Sequence, residues 1–537
     1  MLLRLNLSRY GYFVIGLSRT NSYPALSYMQ YGDYYLVFIN SLLQMQGLEK
    51  RESILKHQSG NILLWNGEAY SGLDIDPTLN DGKILLNKLD KRCSKHDITV
   101  IFSSLRGPWA FIYYDSGDEV IYWGRDFMGR KSLILRGGFQ GSLLTIASVA
   151  TYQDEQSTKF VEVVPGLYRM ELKNLTRSTD LDQCSPEMIP WSDHTILRLS
   201  NYARNHSPSQ YRKDDPDNAR RVTQELMHIL LKSVTDRCTT TAYSTAIQQD
   251  NPHFMLLFSG GVDSTLLAAL LHKALPVDEP IELCSICFAK GDSPDRLGAL
   301  DAYVELKSIY PEREWKFIAI NSTYEELKCA KEHIVDLLYP ADTIMDFNIG
   351  GALWLAAKGK GALIDVCTST DCPEILMKDY ESKARVVFLG HGADELFGGY
   401  GRHRTKYKNG GWHDLAEELR LDVRRLWQRN FGRDDRIISD HGKESRIPFV
   451  DERVLDFALS EHLGSLVNLE LPIGVGDKII LRRCLKSLGL VRASERHKRA
   501  LQFGSRLAKA ANKDAFGSNA AANRRHGGKV KINDCDL

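Results

Sequence analysis

A chain of 537 residues is too long for a single hydrophobic core, because cores stop growing near ~250–300 residues and longer chains divide into domains. Its 43% hydrophobic and 26% charged residues, with a formal net charge of +1, are those of a globular protein. They exclude disorder, a membrane-spanning class and the basic excess of a nucleic-acid binder.

From the N-terminus, the first 32 residues contain no Asp or Glu and carry Arg4, Arg9 and Arg19, a bias seen in transit peptides. Gly11 and Gly16 interrupt any amphipathic helix there. The 10 cysteines follow no framework spacing, which fits reduced thiols, so a cytoplasmic protein is expected. Over residues 1–175, short apolar runs at 35–38, 62–65, 110–114, 120–123 and 143–146 are punctuated by Asn-Gly, Asp-Gly, Ser-Gly and Gly-Gly. That pattern predicts a layered β-rich domain with few helices. Residues 176–218 are polar, hold Pro186, Pro190, Pro208 and Pro216, and read as a linker.

From residue 219 to 515 strand-like and helix-like runs alternate. The run 255–258 precedes a helix beginning near Ser264, 283–288 precedes a helix from Pro294, and 386–389 enters a Gly-rich turn. Alternation predicts a parallel sheet flanked by helices, with ligands beyond the carboxyl ends of its strands. The charge-rich run 402–436 is diluted by acids from Asp414 to Asp435 and reads as a solvated helical face. Residues 516–537 read as a disordered tail.

Three clusters carry chemistry. Phe258-Ser259-Gly260-Gly261-Val262-Asp263-Ser264-Thr265 joins a strand to a helix. Its glycines admit an anion, and Ser259, Ser264, Thr265 and the helix N-terminus supply donors. No lysine follows, so this is not the kinase-type phosphate loop. A Gly-Gly turn capped by serine is the plainer reading, but it leaves the strand-loop-helix setting unexplained. Leu389-Gly390-His391-Gly392-Ala393-Asp394-Glu395 also follows an apolar strand, and Asp394 is placed to be a hard oxygen ligand for Mg²⁺. Lys478, in the helical run from Asp477 to Arg483, is a cation that could meet charge developing at a phosphate.

The first loop resembles the pyrophosphatase loop of enzymes that cleave ATP between its α and β phosphates, where Asp263 would help hold Mg²⁺. Together with Ser293-Pro294-Asp295 and Glu444-Ser445-Arg446-Ile447-Pro448-Phe449-Val450-Asp451, the three clusters resemble the synthetase half of glutamine-dependent asparagine synthetase over roughly 219–510. Upstream, Asn66-Gly67-Glu68 resembles that family's oxyanion and glutamine-binding turn, and Asp81 its ligand for the glutamine amino group. Gly124-Arg125-Asp126-Phe127-Met128-Gly129-Arg130 resembles a turn late in its glutaminase domain. The runs Trp109-Ala110-Phe111-Ile112-Tyr113-Tyr114 and Lys498-Arg499-Ala500-Leu501-Gln502-Phe503-Gly504 resemble a eukaryotic subgroup of the family.

The resemblance implies a β-rich glutamine amidotransferase-like domain followed by an α/β pyrophosphatase-loop synthetase domain, acting as a ligase. Glutamine would yield ammonia in the first; in the second, ATP would adenylate the aspartate side chain and ammonia displace AMP. Phe258, Phe288, Leu389 and Gly390 would border adenosine, while Ser259, Gly260, Gly261 and Ser264 would border phosphates. Asp263 and Asp394 would hold Mg²⁺, and Lys478 would be catalytic. The implied partners are small molecules (ATP, aspartate, glutamine or ammonia), with no nucleic acid and no membrane.

Three departures stand out. The chain begins Met1-Leu2-Leu3-Arg4 and has no cysteine before Cys93, whereas the family uses an N-terminal cysteine whose amine and thiol act together; the expectation is either an inactive glutaminase or a true N-terminus encoded by a different first exon. Arginine-bearing segments that clamp the glutamine carboxylate are missing from the first 60 residues, and Arg106-Gly107-Pro108 lies in another context. His391 replaces an acidic residue held to handle protons when ammonia attacks, a task open to an imidazole near neutral pH. Two rival readings stay open: a retained fold that binds nucleotide or a partner without catalysis, and a tRNA-modifying enzyme with Cys284-Ser285-Ile286-Cys287 as its redox pair.

Overall fold

The computed structural model describes residues 12–17, 25–31, 34–40, 54–74, 80–92, 94–137, 144–150, 159–173, 186–202, 216–239, 253–289, 292–366, 373–497, 501–510 and 532. The chain start, most of the expected linker and nearly all of the expected tail lie outside them. The exception in the tail is Ile532, which is buried and donates its N–H to Asp342 O at 2.8 Å. The chain divides into two compact units, Met1–Leu197 with Trp427–Ser439, and Arg198–Leu426 with Asp440–Leu537.

Unit 1 is built from Tyr12–Leu17 (β1), Ala25–Tyr31 (β2), Tyr34–Asn40 (β3), Leu55–Lys56 (β4), Ile62–Gly67 (β5), Trp109–Asp115 (β6), Val120–Arg125 (β7), Ile134–Arg136 (β8), Thr145–Ala147 (β9), Val161–Glu162 (β10), Gly166–Glu171 (β11) and Glu187–Ile189 (β12). They form two six-stranded sheets, β10-β8-β9-β1-β3-β2 and β12-β11-β7-β6-β5-β4. Side chains alternate between faces along a strand. Ile62, Leu64, Ala110, Ile112, Ile121 and Trp123 therefore share one core with Leu36, Phe38 and Ile146 of the other sheet. The alternate residue Phe111 faces the other way, where Phe102 of helix Lys95–Ser104 stacks on it with ring centroids 3.8 Å apart.

The charged run 402–436 is largely exposed as expected up to residue 430 and departs from that only at its end. After helix Gly401–Leu426 the chain makes a π-helical turn, Trp427–Phe431, and helix Gly432–Ser439. Arg433, Asp434, Asp435 and Arg436 on that last helix are buried in unit 1. Burial is tolerated because each charge meets a partner. Asp435 accepts from Lys131 Nζ (3.2 Å) and Ser132 N (3.0 Å), while Arg436 donates to Glu162 Oε1 (2.8 Å) and Ser132 Oγ (2.7 Å). Arg125 completes the set through Glu162 Oε2 at 3.1 Å.

Unit 2 holds one seven-stranded sheet: Phe254–Leu257 (β13), Ile281–Cys287 (β14), Trp315–Asn321 (β15), Lys360–Asp365 (β16), Glu374–Glu381 (β17), Val386–Phe388 (β18) and Glu444–Arg446 (β19). The order is β17-β16-β15-β14-β13-β18-β19. From β15 to β19 every pairing is parallel, and β16 and β17 add an antiparallel edge. Strands β13 and β18 are wholly apolar runs, the pattern of a parallel sheet covered on both faces. The chain proceeds from β13 to β14 on one side and returns to β18 on the other. Strand order thus reverses at β13, the place where such sheets open a crevice at their carboxyl edge. Among the described residues no helix is long and apolar enough to cross a membrane.

Candidate active site

Two of the three chemical clusters begin where a strand of unit 2 ends, and the third begins where a helix starts. After β13, Gly260 takes a left-handed φ of 69°, and a β-carbon there would overlap Gly298 O of helix Pro294–Ile309. Only glycine lets that helix close on the loop. Helix Val262–Ala274 starts immediately afterwards with Asp263 in its first turn, where the helix dipole favours an acid. After β18 the second loop meets the first: a β-carbon on Gly390 would lie 3.1 Å from Asp263 Cβ. The short helix Ala393–Leu396 then places Asp394.

Lys478 is not within a helix, as its sequence setting suggests, but caps one. It adopts the left-handed φ 52°, ψ 35° just before helix Ile479–Ser487, and its N–H donates to Phe397 O at 3.0 Å. For a residue with a β-carbon this conformation costs roughly 1–2 kcal/mol. What it achieves is convergence, because the buried ammonium donates to Asp263 Oδ2 at 2.6 Å and is ion-paired with Asp394 Oδ1 at 2.6 Å. Burial alone pushes the ammonium pKa down; the Asp263 and Asp394 carboxylates outweigh it and hold the group above the usual lysine range, protonated. Gly399 donates to Asp394 O at 2.9 Å, and a β-carbon on it would overlap both Asp394 Oδ1 and Lys478 Cε.

Two carboxylates aimed at one cation are a fitting start for Mg²⁺, which is usually held by one or two carboxylates with phosphate oxygens and water completing its shell. No set of three or more metal-binding side chains occurs among the described residues. Phe258, Phe288 and Leu389 are each the first residue after β13, β14 and β18. Their N–H groups donate to Cys284 O (2.7 Å), Ser505 O (2.9 Å) and Arg446 O (3.0 Å), and all three side chains are buried. Ser264 is buried with Oγ 3.4 Å from Gly261 O. His391 is partly buried in the turn between Gly390 and Gly392.

The family model for asparagine synthase matches residues 240–314, 366–413 and 405–513. The asparagine synthetase domain-containing protein 1 of Mus musculus is 30% identical over 574 residues, covering 89% of this chain and 90% of the relative. The chain belongs to the asparagine synthetase domain-containing proteins. The Homo sapiens relative of the same name is 31% identical, with 89% and 88% of the two chains covered. The glutamine-hydrolysing asparagine synthetase of Homo sapiens is 25% identical over 446 residues, covering 80% of this chain and 69% of that one.

In this family member the glutamine-site candidates of unit 1 cluster at the end of β5. Asn66 and Gly67 close the strand, Glu68 is buried, and its N–H donates to Pro108 O at 2.9 Å. Asp81 is buried and accepts from Trp65 Nε1 (3.0 Å), Ala69 N (3.1 Å), Asn80 Nδ2 (3.0 Å) and Gly82 N (2.8 Å). These bonds occupy both oxygens and fasten the residues flanking the 66–68 turn to the start of helix Asp81–Asp90. Arg106 pairs with Asp193 at 2.7 Å.

Cys284 and Cys287 do not form a redox pair. Three apart on β14, they point to opposite faces, both are buried, and burial pushes the Cys284 thiol up to about 12. That removes the observation on which the tRNA-modifying reading rested.

One functional support left no sequence signal. Buried Arg237, on helix Pro216–Thr239, donates to Asp451 Oδ2 at 2.7 Å, and Ser233 Oγ of the same helix donates to Pro448 O at 3.0 Å. Together they clamp the segment whose Val450 Cγ1 backs Gly392, 2.5 Å from where a β-carbon would sit. Burial would raise the Asp451 pKa; Arg237 and Arg453 outweigh it and hold the carboxyl well below the usual range. Arg237→Met is expected to destabilise unit 2 by about 3 kcal/mol, the lower end for breaking a buried pair, since Arg453 remains at 2.8 Å. A depressed folded pKa gives stability that is full above the unfolded value of ~3.9 and lost as pH falls toward the folded one. Urea titrations should therefore show wild-type stability declining below about pH 4, with a shallower decline in the variant.

Proposed function

We propose that unit 2 amidates a carboxylate using ATP, with aspartate as acceptor, and releases asparagine, AMP and pyrophosphate. The observation that carries this reading is the convergence of Asp263, Asp394 and Lys478 at the reversal point of the parallel sheet, where two Gly-rich loops meet. The backbone of Ser259, Gly260 and Gly261, with Ser264 and the start of helix Val262–Ala274, receives the phosphates. Phe258, Phe288, Leu389 and Gly390 border adenosine. Asp263 and Asp394 hold Mg²⁺, which when bound neutralises charge on the pyrophosphate. Lys478 offsets charge at the α-phosphate and then at the tetrahedral centre, and His391 takes the proton that ammonia sheds as the amide forms.

Ammonia is the nitrogen donor on which the amidation step acts. Unit 1 is read as a glutaminase-like fold that does not hydrolyse glutamine, a reading supported by Asp81, whose carboxylate is fully engaged in internal hydrogen bonds. The partners are the small-molecule substrates. Four buried free cysteines, Cys238, Cys284, Cys287 and Cys484, suit a reducing compartment, which we take to be the cytoplasm.

The full chain, incubated with aspartate, ammonium, ATP and Mg²⁺, should form AMP, pyrophosphate and asparagine in equal amounts. Formation of ADP, or nucleotide binding without AMP, would overturn the reading; the second result would identify a catalytically silent binder. Calorimetry with Mg²⁺ and ATP should show Asp263→Asn binding about tenfold weaker, ~1.4 kcal/mol.

A further inference from the structure

The carboxylates assigned to the divalent cation already share one. Lys478 Nζ lies 2.6 Å from Asp263 Oδ2 and 2.6 Å from Asp394 Oδ1, and its side chain is 2% exposed. Mg²⁺ held by the same oxygens would sit at ~2.0–2.1 Å from them, next to the ammonium and repelled by it in a buried setting. The two cations therefore compete for one pair of carboxylates. The lysine backbone is fixed by its left-handed cap and its bond to Phe397 O, so exchange needs only side-chain motion. Gly399, with no β-carbon beside Lys478 Cε, leaves the stem room for it.

Resting on the reading of this site as one for ATP and Mg²⁺, we infer that Lys478 is the resident cation of the site until metal and nucleotide arrive. It blocks bare divalent metal and yields the carboxylates only when phosphate oxygens draw its ammonium away. The charge count agrees. With the ammonium in place the three side chains sum to −1, whereas a divalent cation added without phosphate would bring them to +1 in a largely buried site. Metal and nucleotide then load as one unit, and the lysine arrives at the phosphates as a consequence of loading. The site is an interlock against metal-only occupancy.

The test is Mn²⁺ binding to the full chain by electron paramagnetic resonance, with and without α,β-methylene ATP, which cannot be cleaved at the reacting bond. Wild type should bind Mn²⁺ weakly alone and strongly with the analogue. Lys478→Met should bind Mn²⁺ alone at least about tenfold tighter than wild type, and Asp263→Asn added to that variant should abolish the gain. Lys478→Arg keeps a cation in place and should show no gain. Thermal melting supplies a second readout, since Mn²⁺ alone should raise the Tm of Lys478→Met more than that of wild type. If Lys478→Met binds Mn²⁺ no tighter than wild type while Asp263→Asn still weakens Mn²⁺ binding with the analogue, the interlock is wrong and the ATP reading stands. If wild type and Asp263→Asn bind Mn²⁺ equally with the analogue, both fall.

Discussion

Replacing His391 by alanine should lower ammonia-dependent amidation by ~10²–10⁴-fold, the usual cost of losing a general base, while ATP affinity changes little. His391 is partly buried on the turn whose Gly390 borders Asp263 and whose Gly392 abuts Val450, so it stands beside the proposed phosphate site on a backbone held from both sides. Ammonia becomes an amide only by shedding protons, and the side chain that accepts one must be deprotonated beforehand. His391→Glu keeps an acceptor and should retain most of the rate. Single-turnover assays from about pH 6 to 9 at matched free-ammonia concentration separate chemistry from binding. An alanine variant with an unchanged rate and profile, altered only in ATP affinity or melting temperature, would show that His391 merely shapes the turn.

What was legible in the sequence follows from the range of each interaction. The loops at 259–264 and 389–395 were readable because apolar strand, glycine pair and helix start are contiguous, and the parallel sheet was readable from alternating elements. The conformation and pairing of Lys478 were not: its hydrogen-bond partner Asp263 is 215 residues away, and its left-handed backbone has no signature in a run that looks helical. Arg433 to Arg436 misled for the same reason. Alternating charges look solvated until Lys131, 304 residues earlier in the chain, supplies a buried partner. Arg237, 214 residues from Asp451, sits on a long charged helix that offers no local hint of a clamp. Local pattern reports the backbone an element adopts, whereas buried ion pairs report the tertiary fold, and the site depends on both.

The glycine at 399 offers the sharpest test of that dependence, because a neighbouring glycine serves as its control. Gly399→Ala should reduce amidation by about 10²-fold or more, whereas Gly401→Ala should leave it near wild type. A β-carbon at 399 would overlap Asp394 Oδ1 and Lys478 Cε, and at 401 it would meet nothing within 4 Å. Both atoms lie toward the ends of flexible side chains, so relief comes by swinging the carboxylate and the ammonium out of place. Asp394 is held through its own carbonyl by the Gly399 N–H at 2.9 Å, Lys478 by Phe397 O at 3.0 Å, so the new methyl pushes on two groups whose backbones are tied to the same turn. Moving a carboxylate or an ammonium by about 1 Å from its working position costs on the order of 10²-fold in rate. Both residues should be displaced together, so metal–nucleotide affinity and turnover should fall in parallel. The fold should survive, since the contact involves the ends of two side chains and not the core, and circular dichroism should match wild type. An active Gly399→Ala enzyme would mean that the Asp263, Asp394 and Lys478 cluster is not the working arrangement of the site.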